Sequence, residues 1–191
     1  MAVQGPIVIT GASSGIGAAC ARYLDALGFT VWAGVRSTQD GEALTRLTSS
    51  RLRVLMLDVT DPASIEAARK TLAEATRDTG LAGLVNNAGI SVAGPLELLP
   101  LSEVRTQFEV NVIGVLAVTQ ALLPLLRLAR GRIVNISSIA GLAATPFLGA
   151  YCSSKFALEA MSDALRLELA PWGISVSLVE PGAIQSQIWQ R

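Results

Sequence analysis

The stretch Ile7-Val8-Ile9-Thr10-Gly11-Ala12-Ser13-Ser14-Gly15-Ile16-Gly17 decides the fold. Residues 7–10 read as a short apolar strand and residues 15–27 as a helix, with a glycine-rich turn between them. The glycines fall at 11, 15 and 17, a spacing related to, but different from, the common G-x-G-x-x-G. Glycine lets backbone approach a pyrophosphate, and a helix N-terminus offers unpaired N–H groups and a favourable dipole. Gly11, Ser13, Ser14, Gly15, Ile16 and Gly17 are therefore candidate dinucleotide-binding positions, the two serines adding hydroxyl donors. A glycine-rich turn that binds nothing is the plain alternative, and the strand before and helix after weigh against it.

Outward from that turn, short β-branched runs alternate with longer helical stretches. Further strands are expected at 30–33, 54–57, 84–86, 132–136 and 175–179. Helices are expected at 42–48, 62–78, 102–129 and 151–170. Asp61 fits an N-cap with Pro62 at the first helical position. The strands look apolar and non-alternating, as in a parallel sheet covered on both faces. The expected fold is α/β: a doubly wound, Rossmann-type parallel sheet of at least six strands with helices on both faces. No linker or repeat interrupts it, so residues 1–191 read as a single dinucleotide-binding and catalytic domain.

Composition narrows the function. Of 191 residues 51% are apolar, enough for a well-covered core, and fifteen basic residues balance fifteen acidic ones. That balance argues against nucleic acid as a partner. The chain has no histidine, which excludes a Ser-His-Asp hydrolase, a His-ligated metal and a His general base. Cys20 and Cys152 read as reduced thiols of a cytoplasmic protein. The N-terminus carries no targeting pattern, and the apolar stretch 112–126 is short and interrupted by polar groups. A buried helix, and no membrane, is the expectation there.

Adenosine would lie across the strand ends. Asp58 and Val59 follow the third strand, where a carboxylate could accept from the adenine amino group. Asn86-Asn87-Ala88-Gly89 closes the fourth strand at the same edge, where asparagines can tie neighbouring loops together. The position after the second strand separates NAD from NADP. Here it is Arg36 with no acid beside it, which favours a 2′-phosphate and so NADP, with NAD possible.

The reacting groups follow. Tyr151 and Lys155 are four apart at the start of a helix and share a face. Ser137-Ser138 ends the fifth strand, and Asn111 sits in the long apolar helix, where an amide needs a partner.

Taken together, Thr10 to Gly17, Asn86 to Gly89, Asn111, Ser138, Tyr151, Lys155 and Pro181-Gly182 resemble the standard branch of the short-chain dehydrogenase/reductase family, over the whole chain. The resemblance implies NAD(P)-dependent hydride transfer to or from a small-molecule carbonyl or alcohol. It implies Tyr151 as general acid/base and Lys155 as the group that lowers its pKa and holds the nicotinamide ribose. Ser138 would polarise the substrate carbonyl, and Asn111 would support a proton-relaying water. Asn87, Ala88, Gly89, Pro181, Gly182, Ile184 and Ser186 would line the cofactor, Ser186 keeping a hydroxyl where the family often has threonine. On physical grounds, a cation about 4 Å from the phenol at an effective dielectric of about 20 contributes on the order of 4 kcal/mol, roughly three pKa units.

Three further expectations come with the resemblance. The chain stops where members usually continue through a substrate-covering loop, so it reads as C-terminally truncated. The wording around residues 32–44 and 181–189 is similar to members acting on steroids, retinoids or hydroxy acids. Helix-paired homodimers or homotetramers are expected, consistent with a helix 102–129 that is apolar on many faces. A catalytically weak sensor or scaffold of the same fold is the rival reading; the intact Ser138, Tyr151 and Lys155 speak against it.

Overall fold

The protein is described by a computed structural model covering residues 5–184 and Ile188. The strands are β1 (Ile7–Ile9), β2 (Val31–Val35), β3 (Leu52–Met56), β4 (Gly83–Asn86), β5 (Arg132–Ile136) and β6 (Ser175–Val179). The helices are α1 (Gly15–Ala26), α2 (Thr38–Thr45), α3 (Pro62–Ala75), α4 (Leu101–Phe108), α5 (Gly114–Ala129) and α6 (Gly149–Leu169). Every neighbouring strand pair is parallel, in the order β3-β2-β1-β4-β5-β6. The chain winds outward from β1 to β3, then returns to lay β4 against the free side of β1. That reversal opens a crevice at the carboxyl ends of β1 and β4, the place where doubly wound sheets bind ligands.

Side chains leave alternate faces of each strand, and this divides the core in two. Val8, Trp32, Leu55, Leu84 and Ile133 pack with Ile65 and Leu72 of α3, Val118 and Leu122 of α5, and Leu165 of α6. Ile7, Ile9, Val31, Ala33 and Val85 pack on the other face with Ala21 of α1 and Leu44 of α2. Each such aliphatic side chain, fully buried, contributes about 1.5–3 kcal/mol relative to exposure.

β1, β2 and β4 are buried along their whole length, whereas β3, β5 and β6 alternate buried with more exposed residues. The expectation of uniformly non-alternating strands therefore holds only for β1, β2 and β4. β3 and β6 are the sheet edges, and Val134 and Ile136 of β5 are only partly covered on the α1/α2 side.

Two helices differ from expectation. α2 starts at Thr38 rather than at 42, because Ser37 Oγ accepts the Asp40 N–H at 3.2 Å and caps it. The expected single helix over 102–129 is α4, a π turn (Glu109–Ile113) and α5 in succession. By length and composition Leu101–Ala129 is apolar enough to cross a membrane. In this fold one side of it, through Val115, Val118, Leu122 and Leu126, is buried against the core, and its buried Asn111 and Thr119 are hydrogen-bonded.

Candidate active site

The crevice is a cleft of about 770 Å³, and most of the sequence-predicted site residues line it; Gly17 and Asn111 do not. At its floor, Gly11 and Gly15 have φ of 63° and 54°, left-handed conformations that favour glycine. A Cβ on Gly11 would lie 2.8 Å from Ala88 Cα, and one on Gly17 would collide with Asn87 Nδ2 and the Gly11 carbonyl. Close contact with the β4 loop thus requires both glycines. Ser14 precedes α1 without making a side-chain capping bond, so the first N–H groups of α1 keep their capacity for an anion. Ser13, Ser14, Gly15 and Ile16 line the cleft beside them.

The β4 end is sewn to this turn. Thr10 Oγ1 accepts the N–H groups of Asn87 and Ala88, each at 2.9 Å. Asn87 Nδ2 donates to the Thr10 and Gly11 carbonyls at 3.0 and 2.9 Å. On the β5 side of β4, Asn86 Nδ2 donates to Thr119 Oγ1 and Asn135 Oδ1, and Asn135 Nδ2 donates to Ser162 Oγ. These asparagines do tie neighbouring elements together. Only the Asn87-Ala88-Gly89 part faces the cleft.

Arg36, Asp58 and Val59 lie along the β2/β3 side of the cleft. Asp58 Oδ1 accepts the backbone N–H and the hydroxyl of Thr60, at 2.9 and 2.7 Å. The Thr60 backbone bond leads in holding the Asp58 carboxyl below its ordinary range, and the Arg36 guanidinium adds to it. Pro181, Gly182 and Ile184 line another part of the wall, and no atom of the described residues stands within 4 Å of a Cβ built on Gly182. Ser186 lies outside the described residues.

Beside this wall, β5 ends in Ser137-Ser138. Ser138 Oγ accepts the Ala140 N–H at 3.1 Å, capping a 3-10 turn (Ile139–Gly141). It is also hydrogen-bonded to the Tyr151 phenol. Lys155, one helical turn further along α6, donates from Nζ to the Ile136 carbonyl at 2.8 Å, and its Nζ lies 5.8 Å from the Tyr151 ring centroid.

The electrostatics differ from the sequence expectation. Burial pushes the Tyr151 phenol above its ordinary pKa, with the Ser138 bond pulling the other way. Burial likewise pushes the Lys155 ammonium down to about 8, with Glu159 opposing. The expected strong depression of the phenol by a cation at about 4 Å is absent from this arrangement. The ammonium is aimed at the Ile136 carbonyl, and desolvation dominates both groups.

Asn111 is buried in the π turn behind the cleft. Its Oδ1 accepts the Ile90 N–H at 2.9 Å, and Nδ2 donates to the Ile90 carbonyl and Ser154 Oγ. Gln107, absent from the sequence reading, does the same work one turn earlier. Its Nε2 donates to the Ile90 carbonyl at 2.6 Å, and its Oε1 accepts the Val92 N–H at 2.7 Å. The available signal was a second amide four residues before Asn111 in an apolar helix.

A parallel sheet in this order, with a glycine turn at its switch point and Ser138, Tyr151 and Lys155 facing the same cleft, defines a Rossmann-type dinucleotide-binding protein. The family model described as short chain dehydrogenase matches residues 6–191, and the chain belongs to that family of oxidoreductases. It is 45% identical over 183 residues to retinol dehydrogenase 5 of Mus musculus, covering 95% of this chain and 57% of that protein. It is 47% identical over 189 residues to 17-beta-hydroxysteroid dehydrogenase type 6 of Bos taurus, covering 97% of this chain and 59% of that protein. A short chain dehydrogenase from Burkholderia cenocepacia, solved in complex with NADP, superposes with a TM-score of 0.88 at 30% identity, covering 98% of this chain and 76% of that one. The chain thus spans a little over half the length of these two curated relatives.

Proposed function

We propose that this chain binds NADP(H) in the crevice and transfers hydride between it and a small-molecule carbonyl or secondary alcohol, with Tyr151 as general acid/base. The observation that carries the reading is the convergence of Ser138, Tyr151 and Lys155 on the cleft whose floor is the uncapped N-terminus of α1. The glycine cradle and that N-terminus fit a pyrophosphate, and Arg36 fits a 2′-phosphate. When bound, the nicotinamide supplies or takes the hydride.

The protein's own residues handle the proton and the developing charge. Ser138 would donate to the carbonyl oxygen as it becomes an alkoxide. Tyr151, buried and above its ordinary pKa, keeps its proton at neutral pH and is suited to give it to that oxygen, which favours the reductive direction. Lys155 would hold the nicotinamide ribose and compensate negative charge on the phenol. Asn111 and Gln107 fix the Ile90 loop behind these groups.

Relatives named for retinol and hydroxysteroids support an apolar alcohol or carbonyl as substrate. The test is titration of the purified protein with NADPH and NADH, followed by turnover on a panel of retinoid and steroid carbonyls. A parent protein that neither binds the cofactor nor turns over any carbonyl would sink the reading.

A further inference from the structure

Glu159 stands on α6 one turn beyond Lys155, as Lys155 stands one turn beyond Tyr151, so the three share a face of the helix. Its Oε1 is buried and has no hydrogen-bond partner among the described residues, and the same is true of Ser137 Oγ. Both atoms lie beside Gly141: a Cβ there would be 3.0 Å from Ser137 Oγ and 3.1 Å from Glu159 Oε1. The carboxylate therefore reaches under the end of β5, next to the residue whose carbonyl takes the Lys155 ammonium. A buried carboxylate oxygen without a hydrogen bond is costly, and an opposite charge close by is what offsets such a cost.

Among the described residues, Lys155 is the cation left for that role. Among elements packed on α6, β6 and the 3-10 turns Ile139–Gly141 and Ala170–Trp172 carry no ionisable side chain. Glu109 of the π turn and Glu103 and Arg105 of α4 are exposed. On α6 itself Asp163 pairs with Arg166, and Tyr151 is neutral in its protonated form. Glu159 also acts on Lys155 in the direction that favours its charged form.

We propose that Glu159 is a positioning residue for Lys155, its carboxylate being the counter-charge that holds the ammonium at the end of β5 and facing the cleft. The importance of this for turnover rests on the role given to Lys155 above; the charge pairing does not.

Lys70 and Lys155 are the chain's only lysines, so isotopically labelled lysine gives two side-chain ammonium systems to titrate by NMR. In the parent the Lys155 midpoint should lie near 8. Glu159→Gln should lower it by about one pH unit or more, with Lys70 unmoved. Glu168→Gln, an exposed change on the same helix, should move neither. Gly141→Ala crowds the Glu159 carboxylate from the other side and should also shift the Lys155 midpoint; it decides the matter if Glu159→Gln does not fold. A Lys155 midpoint unchanged in the folded variants overturns the proposal. The titration needs no turnover, so it stands apart from the functional reading. A shifted midpoint in a protein whose parent neither binds NADPH nor reduces a carbonyl would keep the pairing and discard the enzymatic role.

Discussion

Arg36 is the first residue past β2, exposed in the cleft and near enough to Asp58 to help keep that carboxyl ionised. A guanidinium so placed should meet a ribose 2′-phosphate, and a charge-assisted contact of this kind contributes roughly 1.5–3 kcal/mol, about ten- to a hundredfold in affinity. NADPH should therefore bind more tightly than NADH, and Arg36→Ala should remove most of the difference in fluorescence titrations. Equal affinities in the parent protein would end this assignment. Tyr151→Phe removes the oxygen proposed to transfer the proton and leaves the phosphate turn untouched. It should abolish carbonyl reduction with NADPH affinity nearly unchanged, and substantial residual turnover would reject Tyr151 as the acid. Lys155 is expected to set the pH limit of the proposed turnover. Its folded-state pKa lies at about 8, so the ammonium is present below that value and lost above it. Reduction should fall as pH rises through about 8, in a kcat/KM profile that Glu159→Gln moves to lower pH.

Elements are joined by few, specific contacts. The turn from β1 into α1 meets the β4 loop so closely that Gly17→Ala cannot be accommodated without moving Asn87 or Gly11. Overpacking of this kind costs about 1–3 kcal/mol, so a lower melting temperature and loss of NADPH binding should appear together. A melting temperature equal to the parent's would show that the turn has room to spare. At the opposite end of α1, Asp25 accepts the Ser49 N–H and hydroxyl at 2.8 and 2.6 Å, clasping the loop between α2 and β3. Burial opposes ionisation of Asp25, but the Ser49 bonds and Arg51 outweigh it and hold its pKa below the ordinary range. A depressed carboxyl adds stability above its unfolded pKa and loses it as pH falls through the folded one. Asp25→Asn should cost about 1–3 kcal/mol at neutral pH, and the gap to the parent should close on acidification towards pH ~3 in denaturant melts. A gap independent of pH would mean that the charge is irrelevant to the clasp.

Across the whole molecule, the sheet leaves apolar surface that its own helices do not cover. Ile113 on the π turn is 50% exposed, Leu128 on α5 57%, and Phe156 and Leu167 on α6 44% and 78%. Val112, Leu116 and Leu123 are half-buried, so this helical stretch has more apolar faces than the sheet can take. The protein is expected to self-associate through α4–α5 and α6. Light scattering at micromolar concentration should give a dimeric or tetrameric mass; a monomeric mass would contradict the helix-paired interface.

The amino-acid order alone was enough for the features that short-range chemistry controls. Strand and helix alternation, β5 and β6 to the residue, the Asp61 cap, and the glycine turn all depend on spacing within a few residues. Ser138, Tyr151 and Lys155 were legible for the same reason: each lies at the end or start of an element that local pattern defines. Other features depend on contacts between distant segments. The start of α2 was hidden because Gly41 interrupts the helical pattern, yet it packs directly on Val54 of β3. The π turn was hidden because its reason is across the fold, where Gln107 and Asn111 reach the Ile90 loop. The state of the proposed catalytic groups was hidden too. A pKa depends on how much water surrounds a group and which charges share its cavity, and neither exists until the helix closes over the sheet. Local spacing could therefore bring Lys155 to Tyr151, but only the folded packing turned its ammonium to the Ile136 carbonyl and buried one carboxylate oxygen of Glu159.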